Sequence, residues 1–147
     1  MKVLWIEDHE PVRDILAVAA DKAARARVQV DLVLAHTLME AERRLRLERF
    51  DLVITELTLP DSYDGDMTIA RLANMGSHRI AVASANPDRD TIVETALRCG
   101  CNIAKSPIFK ASLPYNRFIQ RPEAMLDFFF EQMPAPDSKT TGRIVAA

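Results

Sequence analysis

The sequence predicts an α/β fold, a doubly wound parallel sheet of five strands with helices on both faces. Two observations predict it. Short apolar runs of strand length alternate along the chain with stretches whose apolar residues recur at helical spacing. Several of these runs are almost continuously apolar, which is typical of parallel strands buried on both faces. At 147 residues, the chain is long enough for one domain with a sizeable core.

The first two strand–helix units are marked by clear start signals. Residues 2–6 form an apolar run, and Pro11 follows at a position where its missing N–H costs a helix nothing. Residues 28–35 make the second strand. Thr37 can cap the next helix, and Glu40 three residues later completes a capping box.

The third strand, residues 50–59, ends around Glu56 and is stopped by Pro60. The units after it are a helix near 67–73, a strand at 79–83, and a helix ending at Gly100. A short fifth strand over 102–104 then ends at Lys105.

The remainder of the chain is less regular. Residues 108–121 show no clear periodicity and are expected to form an ordered excursion or long loop. Pro122 opens a last helix, whose predicted apolar stripe comprises Leu126, Phe129, Phe130 and Met133. We therefore expect one domain over residues 1–133, and a disordered tail or linker over 134–147.

Composition bears on three properties of the protein: nucleic-acid binding, membrane insertion and disulfide formation. The formal net charge of −2 gives no reason to expect nucleic acid. No run approaches the roughly 18 apolar residues of a membrane span. Cys99 and Cys101 are too close for an easy disulfide and are expected to be buried reduced thiols. These features predict a cytoplasmic protein with no membrane partner.

Polar residues collect where the predicted strands end. The set comprises Glu7, Asp8, Glu56, Ser84 and Lys105. In a doubly wound sheet these ends converge on one crevice. Clustered carboxylates need a cation or a raised pKa, and oxygen ligands favour Mg²⁺. A hydroxyl and an ammonium group beside them suit the oxygens of a phosphoryl group.

With these motifs in order, the chain resembles the receiver domain of two-component response regulators. The matching pieces are Ile6-Glu7-Asp8-His9, Asp51-Leu52-Val53-Ile54, Leu59-Pro60-Asp61, Ser84-Ala85, Ala96-Leu97-Arg98-Cys99-Gly100 and Lys105. The resemblance runs from Met1 to about Pro107 and returns over the last helix. It implies a flavodoxin-like, CheY-like sheet with strand order 2-1-3-4-5.

The resemblance also implies roles for the residues at the strand ends. In the family, an aspartate after strand three accepts phosphate from a histidine kinase. Carried over by position, Glu7, Asp8, the acceptor position and the backbone carbonyl of Thr58 would bind Mg²⁺. Ser84 and Lys105 would contact the phosphoryl oxygens.

Glu56 stands at the acceptor position, and this is the main departure from the family. Its extra methylene moves the carboxylate by about 1.5 Å, and a misplacement near 1 Å can cost on the order of 100-fold in rate. The longer side chain could instead pair with Lys105 or Ser84. Further departures are Asn102 at the place of a reporter aromatic, and Ser106 before the proline that usually follows the lysine.

Two interpretations of the acidic residues remain open at this point. Glu7, Asp8 and Glu56 either retain a weak Mg²⁺ site or form a charge cluster that Lys105 neutralises without metal. Ser84 either contacts a phosphoryl group or caps the following turn.

The predicted function is that of an atypical, stand-alone receiver in two-component or phosphorelay signalling. It would act by protein–protein contact without ordinary aspartate phosphorylation, and we do not expect an enzyme. Expected partners are a histidine kinase, a phosphotransfer protein or a downstream effector, with a homodimer through the fifth strand and last helix.

Two alternatives belong to other classes. One is a phosphorylation-competent relay receiver that uses Glu56 or a neighbouring carboxylate. The other is a nucleotide or small-anion module built on Arg43 and Arg44, or on Tyr115, Arg117 and Phe118.

Overall fold

A parallel sheet with strand order β2-β1-β3-β4-β5 forms the centre of the computed structural model, as predicted. The structure describes residues 1–76, 79–85, 88–100, 102–103 and 107–133. The strands are β1 (Lys2–Ile6), β2 (Asp31–Ala35), β3 (Leu52–Thr55), β4 (Arg79–Ser84), β5 (Asn102–Ile103) and β6 (Ile108–Phe109). The helices are α1 (Glu10–Arg25), α2 (Leu38–Leu47), α3 (Gly65–Ala73), α4 (Arg89–Cys99), α5 (Tyr115–Gln120) and α6 (Ala124–Gln132).

Helices cover both faces of the sheet, and each face has its own apolar core. One core joins Trp5 and Ile54 of the sheet to α1, α5 and α6. The other joins Leu4 and Val53 to α2, α3 and α4. Alternate residues of the same strands thus face opposite cores, which explains why these strands are apolar almost throughout.

The helix ends follow the predicted chemistry. Pro11 lies in the first turn of α1. The Thr37 side chain accepts a hydrogen bond from the Glu40 backbone N–H, as the capping box predicts. Gly100 ends α4 with φ +72°, a left-handed conformation that glycine adopts without steric cost.

Two element predictions need correction. The second strand begins at Asp31, not at Val28. The predicted stripe of the last helix is also wrong, because Phe130 is 59% exposed. The buried face of α6 comprises Ala124, Met125, Phe128, Phe129 and Gln132. Phe128 lies on the buried face and stacks on the ring of Trp5, with ring centroids 6.2 Å apart.

The segment 108–121 is more regular than its sequence predicts. It contains β6, a 3-10 turn at Lys110–Ser112 and helix α5. The buried side chain of Phe118 packs on Phe128, with ring centroids 5.3 Å apart. The segment therefore contributes to the apolar core between the sheet and helices α1, α5 and α6.

The pairing of β5 and β6 with β4 shows where the chain gains length. Ile103 pairs with Ile80, and Ile108 pairs with Ala83. Between these pairs the chain advances by five residues while β4 advances by three. The chain between the two pairs is thus two residues longer than the matching stretch of β4, and Lys105 lies outside the described residues.

Two other expectations concern cysteine and the membrane. Cys99 is half-buried and free, and Cys101 is outside the part of the chain that the structure describes. Within the described ranges, no helix combines the length and the apolar character that crossing a membrane requires.

Candidate functional site

Two glutamates stand side by side where β1 and β3 end. Ile6 pairs with Thr55 in these neighbouring strands, so Glu7 and Glu56 are the next residues on adjacent strands. Glu7 is 1% exposed and Glu56 is 4% exposed. Burying two carboxylates together is costly unless a positive charge accompanies them.

Lys110 supplies that positive charge. Its Nζ donates a hydrogen bond to Glu7 Oε1 over 2.6 Å and lies 3.4 Å from Glu56 Oε2. Lys110 follows β6, whose last residue Phe109 pairs with Ser84 at the end of β4. We call the group of Glu7, Glu56, Ser84 and Lys110 the acidic crevice.

Neutral hydrogen-bond donors also contact the two carboxylates of the acidic crevice. Ser84 Oγ donates to Glu56 Oε1 over 2.9 Å, which confirms the predicted pairing of these two residues. The Thr58 backbone N–H also donates to Glu56 Oε1, over 3.4 Å. The His9 backbone N–H donates to Glu7 Oε1 over 3.0 Å. Both carboxylates are thereby fixed in orientation.

The two partners of the ion pair respond differently to burial. Burial raises the pKa of the Glu7 carboxyl, although the hydrogen bonds from Lys110 and His9 oppose this. Burial alone would lower the pKa of Lys110, but the hydrogen bond to Glu7 and the charges of Glu7 and Glu56 together raise it. Lys110 is therefore charged at neutral pH, and the crevice favours one positive charge between its two carboxyl groups.

Tyr115 faces the same charges from the start of α5. Burial raises the pKa of Tyr115 to about 12, and the negative charges of Glu7 and Glu56 add to the effect. Its hydroxyl oxygen is buried and has no hydrogen-bond partner among the described residues. Tyr115 thus brings a neutral donor into the vicinity of the acidic crevice.

With Lys110 in place, the acidic crevice leaves no room for a divalent cation between its two buried carboxylates. Mg²⁺ requires about six oxygen ligands in a near-octahedral arrangement. Within the described ranges, no group of three or more His, Cys, Asp or Glu side chains is arranged to hold a metal ion. Asp8 is exposed, and the backbone carbonyls of Glu7 and Asp8 accept hydrogen bonds from Arg13 over 3.1 Å and 2.6 Å. Instead, the Lys110 ammonium lies between the two buried carboxylates.

The structure brings together some of the predicted site residues and leaves others apart. Glu7, Glu56 and Ser84 meet as expected, whereas Asp8 and Thr58 are exposed at the rim. The predicted lysine, Lys105, is outside the described residues.

Sequence reasoning missed Lys110, and it named Tyr115 only as part of the anion-binding alternative and not beside the two glutamates. A signal for Lys110 was present in Ile108-Phe109-Lys110, an apolar pair followed by a lysine. Two apolar residues are too few to mark a strand without knowing that they pair with β4.

Most residues of the anion-binding alternative line two open pockets, but Phe118 is buried in the core. One, of about 490 Å³, is lined by Ala111, Leu113, Pro114, Tyr115, Asn116, Arg117 and Gln120. The other, of about 270 Å³, is lined by Glu40, Arg43, Arg44 and Leu47. Among the described residues, Arg117 is the only charged one that lines the first pocket, and Arg44 in the second lies 3.4 Å from the Glu48 carboxylate.

Comparison with solved structures identifies the fold. Vibrio cholerae chemotaxis protein CheY4 is 16% identical, covering 90% of this chain and 98% of that chain with a TM-score of 0.61. The response regulator domain of Thermotoga maritima CheB is 21% identical, covering 93% and 98% with a TM-score of 0.59. The Mn²⁺-bound response regulator Rcp1 is 15% identical, covering 92% and 99% with a TM-score of 0.58.

These likenesses show that the chain has the receiver-domain (CheY-like) fold. No family model and no curated protein sequence matches the chain.

Proposed function

We propose that the protein is an atypical receiver domain of two-component or phosphorelay signalling, which acts by contact with a protein partner. In this proposal, no aspartate is phosphorylated in the ordinary way. The main support for this proposal is the burial of Glu56 and the contacts that its carboxylate makes. The residue in the acceptor's place is a buried glutamate whose two oxygens already contact Ser84 and Lys110.

Phosphoryl transfer needs a carboxylate oxygen in line with the donor, and positively charged groups beside the negatively charged oxygens of the transferred group. Glu56 Oε1 accepts from Ser84 and Thr58, and Oε2 lies beside the Lys110 ammonium. The groups that would stabilise an incoming phosphoryl group are thus engaged with the glutamate itself. The arrangement supports a domain that stays in one state over a domain that alternates between phosphorylated and unphosphorylated states.

A signalling domain of this kind needs a surface for its partner. Several large apolar side chains are exposed on α4, β6 and α6: Val93, Leu97, Phe109 and Phe130. Leu97 is 76% exposed. We propose that this surface contacts a kinase, a phosphotransfer protein, an effector or a second copy of the chain. Exposed apolar side chains of this size are suited to burial against a partner and support such a contact.

Phosphorelay with a glutamyl acceptor is the second candidate. The contacts of Ser84 and Lys110 with Glu56 favour it, since a hydroxyl and an ammonium group suit phosphoryl oxygens. Nucleotide binding has less support. The lining of one pocket carries a single arginine, and the pocket with Arg43 and Arg44 also contains Glu40, while Arg44 is paired with Glu48.

Incubation with Mg²⁺ and acetyl phosphate, followed by intact-protein mass spectrometry, separates the first two candidates. We expect no phosphoryl adduct on the wild type. Glu56→Gln is the matched control, because it removes the carboxylate with almost no change in shape. A stoichiometric adduct on the wild type that Glu56→Gln abolishes would refute the proposal in favour of the relay.

A further inference from the structure

We propose that the ammonium group of Lys110 is the built-in cation of the acidic crevice and excludes a divalent metal ion from it. The inference deepens the proposed function, since it explains how a receiver-like crevice is held in one state without a cofactor. It concerns binding of a cation alone and is tested without any phosphodonor.

The position of Lys110 supports this assignment. Its Nζ is 2.6 Å from Glu7 Oε1 and 3.4 Å from Glu56 Oε2, so one ammonium group bridges the carboxylates of two adjacent strands. The Lys110 side chain is 19% exposed, and those of Glu7 and Glu56 are 1% and 6% exposed. A metal ion that bridged the same two oxygens would have to occupy the space of the ammonium group.

The backbone around Lys110 is fixed on both sides. Before it, Phe109 pairs with Ser84 of β4. After it, a 3-10 turn leads to Leu113, which is 6% exposed in the core beneath α5. The ammonium group is thus presented by a structured part of the fold.

Lys110 contacts Glu7, a position at which the family resemblance implies a metal ligand. The lysine implied by that resemblance would contact phosphoryl oxygens, while the acidic residues after strand one would hold the metal. Here the lysine is hydrogen-bonded to the first of those acidic residues. One oxygen of the carboxylate that would serve the metal, Glu7 Oε1, is therefore already engaged with the ammonium group.

The crevice retains ligands that a metal ion could use if the ammonium were removed. Glu7 Oε2 and Glu56 Oε2 are buried and make no hydrogen bond with any described residue. Without the ammonium, the two carboxylates would face each other with no neutralising charge. Hard oxygen ligands of this kind select Mg²⁺ or Mn²⁺. We therefore expect Glu7 and Glu56 to be able to bind a divalent cation when the Lys110 ammonium is absent.

Isothermal titration calorimetry with Mg²⁺, and separately with Mn²⁺, tests the proposal on metal-free protein. We expect no saturable binding to the wild type at millimolar metal, and saturable binding to Lys110→Met. Lys110→Arg keeps the positive charge and is expected to stay without binding. Lys2→Met removes an ion pair with Glu48 elsewhere on the molecule and is the matched control, also without binding.

Saturable binding to the wild type, with affinity similar to that of Lys110→Met, would overturn the proposal. So would folded Lys110→Met that binds no metal. If Lys110→Met and Lys110→Gln are unfolded without metal, circular dichroism with added Mg²⁺ or Mn²⁺ decides. Refolding by the metal supports the proposal, and failure to refold contradicts it. A phosphoryl adduct on Glu56 with no metal bound to the wild type would refute the proposed function alone.

Discussion

The first hundred residues and the segment from 107 to 133 contribute opposite charges to one crevice. The first region is a series of regular strand–helix units and supplies Glu7, Glu56 and Ser84 at its strand ends. The later segment combines a two-residue strand, a 3-10 turn and two short helices, and supplies Lys110. The two carboxylates of the crevice thus come from the regular strand–helix units, whereas their positive partner comes from a less regular part of the chain.

The two regions also differ in what fixes them. Strands β1, β3 and β4 are held by the sheet and by a core on each face. The later segment is held mainly by side chains on the α1 face, among them Leu113, Phe118 and Phe129. The position of the Lys110 ammonium therefore depends on aromatic packing as well as on sheet pairing.

Among the predicted effects on stability outside the crevice, we expect the largest when the aromatic packing of the later segment is removed. Phe118→Ala deletes a ring that is 1% exposed and is expected to destabilise the protein by about 3–5 kcal/mol, measured by urea unfolding. Phe109→Ala, in the same segment but 54% exposed, is the matched control and should change stability by about 0.5 kcal/mol or less. Equal effects of the two substitutions would mean that the segment is not part of the core.

A smaller effect is expected in the regular region, at the loop after β3. Asp61 accepts hydrogen bonds from the backbone N–H groups of Leu38 and Met39 at the start of α2, each over 2.8 Å. Burial alone would raise the pKa of Asp61, but these hydrogen bonds and the charge of Arg71 together lower it. Because the pKa is lower in the folded state, the carboxylate stabilises the fold above its unfolded pKa of about 3.9.

That stabilisation is lost as the pH falls through the lowered folded pKa. We expect Asp61→Asn to cost about 1 kcal/mol at neutral pH, and the difference from the wild type to shrink in acid. Urea unfolding of both proteins between neutral pH and pH values below about 3 measures this. A difference that is constant across that range would show that the charge of Asp61 does not matter.

Much of the regular region could be predicted from the sequence, because its signals are local. Apolar runs gave the strands, and Thr37 with Glu40 gave a helix start. The carboxylates of Glu7 and Glu56 could be placed together because strand ends converge in this class of fold. The strand order came from the family resemblance and is confirmed.

The later segment could not be predicted, because its structure depends on contacts that are distant in sequence. Ile108 and Phe109 become a strand only by pairing with β4, 25 residues earlier in each case. The buried face of α6 packs against residues distant in sequence, among them Trp5, which stacks on Phe128. Lys110 was therefore not expected in the crevice, and Lys105 was assigned to it by position alone.

The ion pair between Lys110 and Glu7 is the centre of this account, and a double-mutant cycle tests it most directly. Unfolding free energies are measured for the wild type, Lys110→Met, Glu7→Gln and the double variant. We expect Lys110→Met alone to cost about 3–5 kcal/mol, since it leaves buried carboxylates without a counter-charge. The same substitution should cost much less in the Glu7→Gln background. Costs that add to within about 0.5 kcal/mol would contradict the account, because they would show that the two side chains do not interact.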